Sequence, residues 1–472
     1  MGHGQRDIRG SNDESAAPSY SFGQKPKPLV LAFILYIVAQ EQRKRKQLTS
    51  LPQVYHQDTA ENQRIVSLMS AVLQRKYKPS LFIGTRSFLN SSFAYCRLAH
   101  TNYERKREIL RMPRDGAQIA LDYESPTGMN PNFGNITDQT IVLILHGVNT
   151  DTSFGYMKAI MKHCTNQGYV AIGMNARSYG NIPMKTCRFM NSAYTNDLRS
   201  TVEILSNRYT KSKLFLVGFS MGANTLVKFL GESSDNLPSN LVGAVSLANP
   251  FIIQHSKLKF PMSNLMTAGT RKHMKSHAET IRQMSDDSVE DAFKKATSFR
   301  QSSSLSDISK YTSPFMIRNS VEYPYQNSIG YSSNEEYWRE ASSRNYVANV
   351  SIPLLIVFAD DDVLTADSTI RSLGACLSNP NIIIARTPCG GHMGWHTSNW
   401  NNPFGSYCFT SANDSNMNWS ERTVTKFISA VLWKGNNELH ESDGSWQKIV
   451  RDSKKNGTEM AKTISQNMKS KL

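Results

Sequence analysis

From residue 140 onward the chain alternates between short continuous apolar runs and longer stretches whose apolar residues recur at helical spacing. The runs are Ile141–Leu145, Tyr169–Met174, Leu214–Val217, Leu241–Leu247, Pro353–Phe358 and Asn381–Ala385. Short aliphatic runs without polar alternation suit strands covered on both faces of a parallel sheet. The stretches between them predict helices at about 154–167, 191–208, 221–232 and 419–434. Strands alternating with helices predict an α/β fold with an open, mostly parallel central sheet covered on both faces. Such sheets bind ligands beyond the carboxyl ends of their strands, so the residues just after each run are the chemically interesting ones. Upstream, Asp115-Gly116 separates two alternating runs and predicts a β-hairpin.

One stretch breaks the alternation. Residues 251–345 are rich in Lys, Ser and Met, hold no clear buried strand, and read as a helical cap or lid inserted over the strand ends. Residues 1–27 are polar and read as a disordered tail. Residues 28–40 are a short apolar segment, a candidate membrane anchor, and residues 41–77 a basic linker or helical region. The principal domain is expected over 78–435, and residues 436–472 form a polar tail.

The apolar segment Pro28-Leu-Val-Leu-Ala-Phe-Ile-Leu-Tyr-Ile-Val-Ala39 is preceded by Lys25 and Lys27 and followed by Arg43-Lys-Arg-Lys46. About twelve helical residues reach roughly 18 Å, short of a hydrocarbon core of about 30 Å. A short signal-anchor or a helix lying in the bilayer surface, held by its basic flanks, both fit the pattern; a buried core helix is the plain alternative. Formal net charge is +16, from 54 Lys+Arg against 38 Asp+Glu. With no helix-turn-helix, zinc-finger or RNA-binding pattern in the chain, this excess points to an anionic membrane surface, for instance of an endomembrane, rather than to nucleic acid. The six cysteines are scattered without CxxC spacing, which argues against a zinc cluster or a dense disulfide framework.

The chemistry is concentrated in Gly218-Phe-Ser220-Met-Gly222, a G-x-S-x-G motif that follows an apolar run and opens a helix. A serine hydroxyl is a weak nucleophile and needs a base, which in turn needs an orienting carboxylate. Both follow later runs: Asp360-Asp361-Asp362 after Pro353–Ala359, and Gly390-Gly-His392-Met-Gly394 after Asn381–Ala385. Three adjacent carboxylates raise one another's pKa, so one at most belongs against His392. Asp362, three residues past the small Ala359, is favoured as the acid, with Asp361 as the alternative. Oxyanion donors are expected at the backbone N–H groups of Met221 and of Val148, in the loop His146-Gly-Val-Asn149 after the first run. The same loop spells an H-x4-D pattern, His146 to Asp151, of the kind found in glycerolipid acyltransferases; the oxyanion reading explains it better.

With these residues in place, the chain resembles an α/β-hydrolase subfamily, AB hydrolase 4. It includes mammalian membrane hydrolases, yeast medium-chain ester synthases/esterases, and plant and bacterial homologues. Beyond the serine motif, the resemblance is carried by Met190-Asn-Ser-Ala-Tyr-Thr-Asn-Asp197, Asn224–Gly231, Tyr337-Trp-Arg-Glu-Ala-Ser-Ser343, Asp361-Asp362 and Gly390-Gly-His392-Met-Gly-Trp395. It implies the α/β-hydrolase fold, Ser220, Asp362 and His392 as catalytic triad, an N-terminal membrane anchor and acyl-ester substrates such as acylglycerols, phospholipids or medium-chain esters. It implies no cofactor and no metal. Ester synthesis with an alcohol acceptor uses the same machinery, and a catalytically silent membrane scaffold keeps the fold without the chemistry. Ser178 departs from the family pattern, which usually has glycine after the arginine, as do Asp151 and Ala223.

Overall fold

The computed structural model describes residues 28–96, 105–126, 136, 138–253, 262–285, 287–312, 330–397 and 417–433. Expectations for the two polar tails fall outside these residues, as do parts of the cap.

Nine strands form one sheet: β1 Gln53–His56, β2 Lys106–Arg111, β3 Gln118–Glu124, β4 Ile141–Leu145, β5 Val170–Asn175, β6 Leu214–Phe219, β7 Leu241–Leu247, β8 Leu354–Ala359 and β9 Ile382–Thr387. Their order is β1-β9-β8-β7-β6-β4-β5-β3-β2. Strands β4 to β9 run parallel; at one edge β3 pairs antiparallel with β5 and β2 antiparallel with β3, and at the other β1 pairs antiparallel with β9. This crossover at β4 and β5, followed by β6 to β9 in sequence, is the α/β-hydrolase sheet expected from the resemblance.

The continuous apolar runs become strands because both faces are covered. Ile141, Leu143 and Leu145 pack into one core, with Leu198, Val202 and Leu226 from helices Asn196–Arg208 and Met221–Glu232. Val142 and Ile144 point the other way, against Met157 and Ile160 of helix Gly155–Asn166 and Phe427 of helix Trp419–Leu432. A one-residue slip would exchange the two sets, so the register is pinned from both sides. The β2–β3 hairpin turns at Gly116, whose φ of +71° suits the glycine there.

Two differences from the sequence reading concern the N-terminal region. Residues 41–77, expected as a linker or helical region, do hold helices Ala60–Leu68 and Ser70–Leu73, but they also supply β1. Its four residues pair with Ile383–Arg386 of β9, a partner more than 300 residues away that no local pattern announces. The apolar segment is the start of a 21-residue helix, Pro28–Leu48, whose second half is charged. Among the described residues no helix is long and apolar enough to cross a membrane. Single-pass anchoring therefore has no support among the described residues.

Arg177 ties the hairpin to the sheet. It is 3% exposed and donates to Asp197 at 2.6 and 2.7 Å and to Asp115 at 2.8 Å, so one guanidinium neutralises two carboxylates. Removing one partner of a buried charge network leaves the others uncompensated. Arg177→Met is expected to lower unfolding free energy by about 3–5 kcal/mol; urea denaturation measures it, and an unchanged midpoint would refute the structural role.

Candidate active site

Because β4, β6, β8 and β9 are parallel and close in the sheet, the loops after them meet at its carboxyl edge. Ser220 stands between β6 and helix Met221–Glu232 with φ +51° and ψ −115°, a strained conformation for a residue with a side chain. The turn is held because Gly222 passes close to the β4 loop: a Cβ there would lie 2.5 Å from the His146 carbonyl oxygen. The strain lifts the Ser220 hydroxyl out of the strand line toward the loop that follows β9.

His392 is in that loop, 2% exposed. Its Nε2 lies 2.8 Å from Ser220 Oγ and its Nδ1 2.9 Å from Asp362 Oδ2. Asp362 also accepts from Leu364 N–H at 2.9 Å, Thr365 N–H at 3.1 Å and Thr365 Oγ1 at 2.5 Å. Burial opposes its ionised form, but the His392 imidazole and these donors outweigh it and hold the carboxyl below its ordinary value. Ser220, His392 and Asp362 are thus brought into one hydrogen-bonded line.

The neighbouring aspartates are used differently. Asp360 is paired at the surface with Arg386, 2.6 Å away. Asp361, the alternative acid, turns its Oδ1 to the N–H groups of Gly390 and Gly391, at 2.9 and 2.8 Å. It braces the loop that carries His392 instead of touching the imidazole. Burial, reinforced by the charge of Asp362, raises its pKa from 3.8 to about 6 despite the two N–H donors. A carboxyl with a raised folded pKa favours the native state below its unfolded value and loses that contribution as pH rises through the folded one. Asp361→Asn keeps an oxygen acceptor without the charge. The stability of wild type relative to this variant is therefore expected to fall between about pH 4 and pH 7, followed by thermal melts; a difference independent of pH would contradict the raised pKa.

The β4 loop is fixed from several sides. Gly147 N–H donates to Tyr156 Oη at 2.9 Å and Thr150 Oγ1 donates to the Gly147 carbonyl at 2.8 Å. Val148 and Met221 line, with Ser220 and Asp362, a pocket of about 760 Å³ whose walls include Ile252, Met266 and Leu364. His146 is engaged on both ring nitrogens: Ala176 N–H donates to Nε2 at 3.1 Å, and Nδ1 faces the Gly147 carbonyl at 2.7 Å. Burial lowers its pKa, in keeping with a neutral ring. Asp151 accepts from Ser153 N–H at 2.8 Å. The two ends of the H-x4-D pattern therefore serve separate structural bonds.

Helix Met262–Ser276, in the stretch expected as a cap, supplies Met266 to the pocket wall, and the β4 loop is tied to it by Asn149 Nδ2 donating to the Met266 carbonyl at 3.0 Å. Ser178 explains its own departure from the family pattern. Its φ is +66°, where glycine is unstrained, but its Oγ lies 3.0 Å from His273 Nε2 of the same cap helix. A side chain at this position exchanges backbone strain for a link between sheet and cap.

Several contributors escaped sequence reasoning. Ser91 Oγ accepts from His392 N–H at 2.8 Å, and Asn90 Oδ1 from His396 N–H at 3.3 Å. Both come from helix Ser87–Cys96, and nothing in a Ser- and Asn-rich stretch marks them out. Thr365, three residues after the acid, carries a weak signal: its hydroxyl is spaced to return to Asp362.

A family model described as "Serine aminopeptidase, S33" matches residues 137–321. A spruce (Picea glauca) protein called embryogenesis-associated protein EMB8 is 27% identical over 78% of this chain and 76% of its own length. The zebrafish (Danio rerio) monoacylglycerol lipase ABHD2 is 24% identical over 86% of this chain and 91% of its own. A Saccharomyces cerevisiae monoacylglycerol lipase is 28% identical over 58% of each chain. These matches support the resemblance to the AB hydrolase 4 subfamily, on a chain whose fold is that of the α/β-hydrolases. In this fold Ser220, Asp362 and His392 stand in the β6–helix turn, the β8 loop and the β9 loop. Cys96, Cys164, Cys376 and Cys389 are free thiols, and Cys408 lies outside the described residues.

Proposed function

We propose that this α/β-hydrolase cleaves carboxylic esters of lipids, acylglycerols first among them, through an acyl-enzyme on Ser220 at a membrane surface. The observation that carries the proposal is the single imidazole within hydrogen-bond reach of both the serine hydroxyl and a buried carboxylate. In this reading Ser220 Oγ attacks the ester carbonyl as His392 Nε2 takes its proton. The carbonyl becomes a tetrahedral oxyanion facing the Val148 and Met221 N–H groups. Its collapse breaks the C–O bond, and His392 returns the proton to the departing alcohol. Water then attacks the acyl-enzyme with His392 as base, releasing the carboxylic acid and restoring Ser220. Asp362 stays ionised and fixes the imidazole with its proton on Nδ1.

The apolar walls of the pocket favour an acyl chain over a peptide, and the names of the yeast and zebrafish relatives agree with a monoacylglycerol. Membrane attachment is supported by the exposed apolar turns of helix Pro28–Leu48 and the basic residues that follow them. Incubation of purified protein with monoacylglycerols, lysophospholipids and medium-chain esters, with chromatography of the released acid, tests the reading. Release of fatty acid and glycerol from monoacylglycerol is expected; a folded protein that cleaves none of these esters would contradict it.

A further inference from the structure

A peptide unit is planar and trans, so its carbonyl and the N–H that follows point in opposite directions. Whatever holds the Gly147 carbonyl therefore also aims the N–H of Val148, the expected oxyanion donor. Two donors hold that carbonyl. Thr150 Oγ1 reaches it at 2.8 Å and His146 Nδ1 at 2.7 Å. The histidine proton stands on Nδ1 because Nε2 accepts from Ala176 N–H.

Thr150 is itself held. Its Oγ1 lies 2.6 Å from Tyr156 Oη, which accepts from Gly147 N–H at 2.9 Å. A hydroxyl carries one proton, and that of Thr150 goes to the Gly147 carbonyl, so the 2.6 Å contact takes the proton of Tyr156. The bonds close a circuit: Gly147 N–H to Tyr156, Tyr156 O–H to Thr150, and Thr150 O–H back to the Gly147 carbonyl. Both side chains are buried, and burial pushes the Tyr156 hydroxyl well above the ordinary phenol range, which keeps it protonated. Any buried tyrosine needs a partner for its hydroxyl. Its surroundings set this one apart. The Tyr156 ring packs with its centroid 4.9 Å from that of Phe219, the residue before the nucleophile, and a Cβ on Gly147 would lie 3.3 Å from Ser220 Cβ. On the far side of Val148, Asn149 Nδ2 donates to the Met266 carbonyl and to Thr270 Oγ1. Val148 is thus carried between two fixed residues at the wall of the Ser220 pocket.

We propose that Tyr156 and Thr150 are positioning residues for the oxyanion site, their circuit through Gly147 holding the Val148 N–H toward the carbonyl oxygen of an ester attacked by Ser220. Neither lines the pocket, so both act through one peptide plane and not on the substrate. The oxyanion forms only once Ser220 Oγ has attacked. A misaimed N–H therefore costs transition-state stabilisation and leaves substrate binding nearly untouched. This role rests on the ester-hydrolase reading and extends it to the residues behind the β4 loop.

Full-length wild type, Tyr156→Phe, Thr150→Val and Thr150→Ser are compared on p-nitrophenyl butyrate in solution and in their inhibition by an alkyl trifluoromethyl ketone. The adduct of that ketone with the serine puts a negative oxygen in the oxyanion site. Tyr156→Phe and Thr150→Val are each expected to lower kcat roughly 10- to 100-fold with KM within about twofold of wild type. Ketone inhibition should weaken by the same factor as kcat/KM. The two substitutions together should cost little more than either alone, since each opens the same circuit. Thr150→Ser, which restores the hydroxyl, should recover most of what Thr150→Val loses. Unchanged kcat in the folded variants would overturn the positioning role and leave the ester-hydrolase reading standing. So would a loss confined to KM or melting temperature with ketone inhibition intact. A folded wild type that cleaves no ester would overturn both.

Discussion

Ser220→Ala is expected to reduce ester turnover about 10⁶-fold, and His392→Ala added to it is expected to cost almost nothing more. The reason is in the two short contacts of His392: with Nε2 on the serine and Nδ1 on Asp362, the imidazole has work to do only while Ser220 Oγ carries a proton to give up. Groups that act as a unit are lost as a unit, so the single and double variants converge. Independent, multiplicative losses would mean that the imidazole serves another group. Circular dichroism separates either outcome from misfolding, since Ser220 is a surface-of-pocket residue whose truncation removes one oxygen atom.

Asp362→Asn should lower kcat about 10⁴-fold, whereas Asp361→Asn should stay within roughly tenfold of wild type. An amide at 362 no longer holds the Nδ1 proton and presents its own N–H to the ring, so the tautomer with a basic nitrogen toward Ser220 is disfavoured. At 361 the amide oxygen still accepts from Gly390 and Gly391 N–H, and the histidine loop keeps its brace. Rate constants for the two variants on one soluble ester decide the matter. Equal losses would return the choice between the two aspartates to where the sequence left it.

That choice illustrates what is legible without a structure. The six apolar runs became β4 to β9 with boundaries displaced by at most two residues, because strands buried on both faces write their pattern continuously into the chain. Ser220 and His392 were readable because each stands in a glycine-flanked turn directly after such a run. Asp361 and Asp362 follow the same run side by side, and only the direction of each side chain tells them apart. The N-terminal contributions were hidden for another reason. β1 is four residues long and pairs with β9 across the whole chain; Ser91 and Asn90 touch the histidine loop 300 residues on. Helix Ala366–Leu377 was also missed, since Ser, Thr and a Gly interrupt its apolar face, although Leu373 and Cys376 pack fully into the core. Long-range pairings are set by packing in three dimensions and leave no periodic trace.

Ser220 as the nucleophile is tested most directly by treating folded wild-type protein with a fluorophosphonate and mapping the adduct by peptide mass. Such a reagent needs an activated serine beside an oxyanion site and little else. One adduct is expected, on Ser220, absent from Ser220→Ala and strongly slowed in His392→Ala. An adduct that persists in Ser220→Ala, or none on folded wild type in the presence of anionic vesicles, would contradict it.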